Sequence, residues 1–168
     1  MSVVDTLNGL PRDAFVTRLG SIYEHSPWVA ERSFEARPFA SLEALHAAMQ
    51  RTMLAATADE QMALIRAHPE LAGRLAAAQL TEQSRKEQAG SGLDRVTPEE
   101  RSRMQGLNDR YREKFGFPFI VAVKGLGWSD IIERMEARLP NARDAEIAMA
   151  LEQIGRIARF RLEALEPA

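Results

Sequence analysis

Cysteine is absent from this sequence. That one absence removes disulfides, thiolate nucleophiles and thiolate metal sites together. Histidine is scarce: His25, His46 and His68 are scattered along the chain and spell no metal-ligand spacing. No glycine pattern of the Walker or Rossmann kind is present, so a phosphate cradle of either type is not expected. No run approaches the roughly 20 apolar residues that a membrane span needs. Charge of one sign is missing as well. With 22 basic and 24 acidic side chains the net charge is −2, which offers no field to nucleic acid or to an anionic membrane. Met1–Asp5 lacks the basic and apolar blocks of a signal peptide, and Glu166-Pro167-Ala168 is no peroxisomal tripeptide. The expectation is a soluble, cytoplasmic protein without nucleic-acid or membrane partners.

Apolar residues make up 45% of the 168, enough for a substantial core in a chain of one-domain length. Without repeats or an interior linker, residues 1–168 read as a single domain. The punctuation is helical, predicting an all-α bundle of eight or nine helices. Ser26-Pro27, Ser41, Thr57-Ala58-Asp59-Glu60, Thr81, Thr97-Pro98-Glu99-Glu100, Ser129 and Asn141 all resemble helix starts. Leu45, Met49 and Met53 recur at helical spacing, and a methionine stripe of this kind is core filling. One segment breaks the pattern. Residues 117–123, Phe117-Pro118-Phe119-Ile120-Val121-Ala122-Val123, carry no helix signals and favour an extended backbone. In an all-helical protein their N–H and C=O groups must find side chains, water or a ligand.

Three clusters invite a chemical reading. His68-Pro69 sits where one helix should stop and Pro69 begin another, placing the imidazole beside a positive helix end that discourages its protonation. Such a histidine is either a neutral base or simply a half-buried cap. Ser84, Glu87 and Gln88 stand at i, i+3 and i+4 and share one helix face, which would ordinarily be solvated. Arg161 falls on the same stripe of the last helix as Ile154, Ile157 and Ala158, so its guanidinium needs an anion, either a protein carboxylate or a ligand. Tyr23-Glu24-His25 can be read as a further acid–base pair, but beside a helix start it is better read as ordinary surface.

Taken in order, Glu24-His25-Ser26-Pro27-Trp28-Val29-Ala30, His68-Pro69-Glu70-Leu71-Ala72, Ser84-x-x-Glu87-Gln88 with Gly92-Leu93, Phe117-Pro118-Phe119-Ile120, and Glu146…Ala150-Leu151…Ile154…Ile157-Ala158…Arg161-Leu162 resemble the 2-oxo-4-hydroxy-4-carboxy-5-ureidoimidazoline (OHCU) decarboxylase family of urate catabolism. Each motif is weak alone, and five in sequence cover nearly the whole chain. The resemblance implies an all-helical, homodimeric carboxy-lyase that forms (S)-allantoin without a cofactor or metal. It implies His68 as the catalytic histidine, with Glu87 and Arg161 also in the catalytic set. It implies Pro69, Ser84, Gln88, Phe119, Ile120, Val121, Ala122 and Val123 as substrate-contacting positions. The missing tripeptide separates the chain from eukaryotic members only.

A non-enzymatic helical interaction module would explain the amphipathic helices equally well, but not the gathering of a histidine corner, an acid–amide pair and a stripe arginine. A helix-turn-helix DNA binder would require a basic face, and no helix carries one.

Overall fold

The computed structural model describes residues 1–71, 84, 86, 87 and 97–167. Among these the fold is all-α, with eight helices and one short 3₁₀ turn and no strand. The helices are α1 (Val3–Gly9), α2 (Arg12–Leu19), α3 (Trp28–Ser33), α4 (Leu42–Leu54), α5 (Ala58–Ala67), α6 (Pro98–Phe115), α7 (Trp128–Arg138) and α8 (Arg143–Glu163). They divide into two compact units, one made of residues 1–67 and 154–168, the other of residues 68–153.

The first unit holds α1 to α5 and the end of α8. Ser41 accepts from the Ala44 N–H at 3.1 Å to start α4. Thr57 and Glu60 exchange the reciprocal bonds of a capping box at the start of α5, at 3.1 and 3.2 Å. Met49 and Met53 are fully buried, as core filling requires. Phe15 is buried edge-on to Phe34, with ring centroids 5.4 Å apart. His46 bonds the Gly155 carbonyl at 2.8 Å through Nε2, a role the sequence did not disclose. Gly155 lies inside α8, where glycine is normally unfavourable, but any side chain there would run into Gln50.

In the second unit α6 is the long strut. Thr97 and Glu100 form the capping box that opens it, and Gly116 closes it in the left-handed region at φ 80°. Tyr111 and Phe115 from α6 pack against Phe117 and Phe119 of the following segment, which lies outside any helix.

Local reading misplaces several helix ends. Ser2 and Asp5 build a capping box for α1, a helix not anticipated from the sequence. Ser26 does not cap α3; its hydroxyl donates to the Glu24 carbonyl at 2.9 Å. Gly127, rather than Ser129, is the N-cap of α7, with Asp130 accepting its N–H at 3.0 Å. The Asn141 amide donates to the buried Glu146 carboxylate at 3.0 Å. Pro69 does not begin a helix, since residues 68–70 are non-helical and Leu71 lies in a turn. The helix expected from Thr81 to Ala89 lies outside the described residues except at Ser84, Lys86 and Glu87, which are helical.

Candidate functional site

His68 follows directly on α5 and is 7% exposed. Pro69 and Glu70 are not helical, so the second helix expected to open at Pro69 does not start there. Tertiary bonds hold the chain instead. Asn108 Nδ2 donates to the Leu71 carbonyl at 2.8 Å, and Arg112 pairs with Glu70 at 3.1 Å. Asn108 and Arg112 are one turn apart on α6, and Tyr111 between them shares their face. Tyr111 in turn meets Phe117 at 5.9 Å and Phe119 at 5.3 Å between ring centroids. One stripe of α6 therefore anchors both the stretch that carries His68 and the apolar segment 117–123.

That segment is almost wholly interior: Phe119, Ile120, Val121 and Val123 are buried and Ala122 half-buried. Side chains satisfy part of its main chain, as its lack of a sheet partner requires. Arg138 Nη1 donates to the Ile120 carbonyl at 2.7 Å, and Gln153 Oε1 accepts from the Ala122 N–H at 3.0 Å. Arg138 is itself buried, with its guanidinium 4.3 Å from the Phe119 ring centroid. Its charge is met by Glu146, which accepts from Arg138 Nε at 2.8 Å, from the Tyr111 hydroxyl at 2.6 Å and from Asn141. Burial first, and then the bond to Glu146, push the Tyr111 phenol well above its ordinary range, so it remains a donor. Sequence reasoning missed Arg138, Gln153 and Asn108. Arg138 follows Met135 at helical spacing, and a charge continuing an apolar stripe was the available signal.

Ser84 is buried and helical, and Glu87, one turn on, is half-buried. Gln88 lies outside the described residues. Pro69 is half-buried in the non-helical stretch after His68.

Arg161 belongs to the first unit and is 4% exposed, as its place on the apolar stripe of α8 requires. Its anion is Glu24, whose carboxylate accepts from Nη2 at 2.7 Å. Nη1 donates to the Ser21 and Ile22 carbonyls at 3.2 and 3.4 Å. Arg161 thus has a protein carboxylate as one anionic partner. Glu24 reaches inward from a turn in which His25 takes a left-handed φ of 47° and keeps its own side chain largely in solvent. His25 is ordinary surface, as expected, whereas its neighbour Glu24 is wholly buried.

The chain shares this all-helical fold with solved structures. It superposes on a crystal structure of (S)-allantoin synthase with a TM-score of 0.79 and 29% identity, covering 98% of this chain and 53% of that one, so it spans about half the length of that protein. A crystal structure of an OHCU decarboxylase in the presence of (S)-allantoin shows the same fold, with a TM-score of 0.68 at 20% identity over 89% of this chain and 94% of that one. The family model described as OHCU decarboxylase matches residues 8–163. The 2-oxo-4-hydroxy-4-carboxy-5-ureidoimidazoline decarboxylase of Halalkalicoccus jeotgali is 43% identical over 162 residues, 96% of this chain and 90% of that protein. The chain belongs to the OHCU decarboxylase family.

Proposed function

We propose that the chain decarboxylates OHCU to (S)-allantoin in urate breakdown, with His68 as its acid–base residue. The family match along both units supports the reaction, and the docking of the His68 stretch and segment 117–123 on one face of α6 is the observation that carries the assignment of residues. OHCU bears a carboxylate and a hydroxyl on one ring carbon, next to an imine carbon. Breaking the C–C bond releases CO2 and sends the electron pair into the imine, so the substrate supplies its own electron sink. The protein's task is orientation, proton transfer and exclusion of water.

In this reading the C–C pair becomes a double bond to the former imine carbon while the imine nitrogen takes up a proton, and neutral His68 takes the hydroxyl proton, leaving an enolate. The enolate then collapses to the ring carbonyl as a proton adds to one face of the former imine carbon and sets the (S) configuration. Arg161, held by Glu24, binds an anionic or carbonyl oxygen, and Glu87 accepts ureido or ring N–H groups or helps protonate carbon. Gln88 holds a polar edge, Pro69 and Ser84 contact the substrate, and the 119–123 main chain contributes amide recognition. No protein group among the described residues bonds the main chain of Val121, which suits that role. The enzyme acts as one domain of residues 1–168, as a cytoplasmic homodimer.

The test is turnover of freshly generated OHCU followed by its ultraviolet absorbance. General acid–base catalysis is worth about 10²–10⁴-fold, so His68→Asn should lose at least the lower figure in kcat with an unchanged far-ultraviolet spectrum. Wild-type turnover by His68→Asn would refute the role given to His68.

A further inference from the structure

Phe117 and Phe119 both lay their rings against Tyr111. Side chains two residues apart on one side mark an extended backbone. In such a backbone the N–H and C=O of one residue leave on the same edge, and those of the next residue on the opposite edge. The two side-chain bonds to the segment fall on alternate residues, with Arg138 on the Ile120 carbonyl and Gln153 on the Ala122 N–H. They therefore grip a single edge. The opposite edge carries the polar groups of Phe119, Val121 and Val123. The Val123 carbonyl closes the following turn by accepting from Leu126 at 2.9 Å.

From this we infer that Gln153 and Arg138 are positioning residues for substrate recognition: they hold the even edge of the segment so that the donor and acceptor of Val121 face the ligand. The inference rests on the OHCU reading above and deepens it. A ureido group or cyclic urea presents an N–H beside a C=O, which is the complement of one residue's main-chain pair. Each grip is itself fixed. The amide nitrogen of Gln153 rests 3.8 Å from the Met149 sulfur, which directs its oxygen to Ala122. Arg138 is held by Glu146 and the Phe119 face. The Ala122 N–H has a single hydrogen and it is engaged, so that residue cannot also donate to substrate.

Gln153→Leu removes the acceptor and Gln153→Glu keeps one. With freshly generated OHCU, Gln153→Leu should raise KM about tenfold with kcat within about twofold, the pattern of lost uniform binding, and Gln153→Glu should restore KM. Binding of (S)-allantoin measured by calorimetry should weaken in parallel. A merely structural role would instead lower Tm in both variants without separating KM from kcat. An unchanged KM in a folded Gln153→Leu overturns the inference while leaving the OHCU reading intact; a wild-type protein inert towards OHCU overturns both. If Gln153→Leu does not fold, a crystal structure of the wild-type protein with (S)-allantoin decides. Ligand bonds to Val121 and none to the Ala122 N–H are expected, and a ligand bonded to the Ala122 N–H refutes the assignment.

Discussion

Arg161 and Glu24 form an ion pair of 2.7 Å in which both side chains are removed from solvent. Buried pairs add little over a well-packed apolar pair, yet losing one member strands the other charge. Glu24→Ala should therefore destabilise the protein by about 3–5 kcal/mol, read from urea unfolding. The double variant Glu24→Leu/Arg161→Met should recover much of that stability and none of the activity. Recovered turnover in the double variant would make Arg161 purely structural.

A second prediction concerns the anchor after His68. Asn108 is buried, and its Nδ2 bond to the Leu71 carbonyl fixes the chain three residues beyond the imidazole. Asn108→Leu keeps the branched outline of the side chain but releases that carbonyl. A misplaced catalytic group costs roughly 10–100-fold, so kcat should fall by that factor with KM nearly constant. Unfolding should register about 1–3 kcal/mol for the unsatisfied carbonyl. Wild-type kcat in Asn108→Leu would remove α6 from the positioning of His68.

The start of α5 provides a pH-dependent contrast. The Arg32 guanidinium, and then the Thr57 N–H, hold the half-buried Glu60 carboxyl down to about 2. A depressed carboxylate stabilises the fold above its unfolded value of about 4.3, and that contribution is lost as pH falls through the folded value. Glu60→Gln should thus lower Tm modestly at pH 6, and the difference from wild type should close as the pH approaches 2. A difference that persists at pH 2 would show that the carboxylate's charge is not its source. The effect is small because both partners are solvated.

Much of this architecture was legible because its signals are local. The Thr97–Glu100 and Thr57–Glu60 boxes and the Ser41 cap need only three or four consecutive residues, and each forms as read. Arg161 was legible as buried because helical periodicity alone puts it among Ile154, Ile157 and Ala158. Its partner was not. Glu24 lies 137 residues away in a turn whose inward carboxylate depends on the left-handed backbone of His25. Pro69 misled for a similar reason: it can open a helix, but Asn108 and Arg112 hold Glu70 and Leu71 elsewhere. Segment 117–123 was recognised as irregular and in need of partners, whereas Arg138 and Gln153 become its partners only once α7 and α8 are in place.

Circular dichroism of the allantoin formed from freshly generated OHCU measures the central claim directly, since uncatalysed decay yields a racemate. Wild-type protein should give the (S) signal at an accelerated rate, and His68→Asn should give a weak or absent signal at close to the spontaneous rate. An equal (S) signal, formed equally fast, from His68→Asn would contradict the account; so would a racemic product from the wild-type protein.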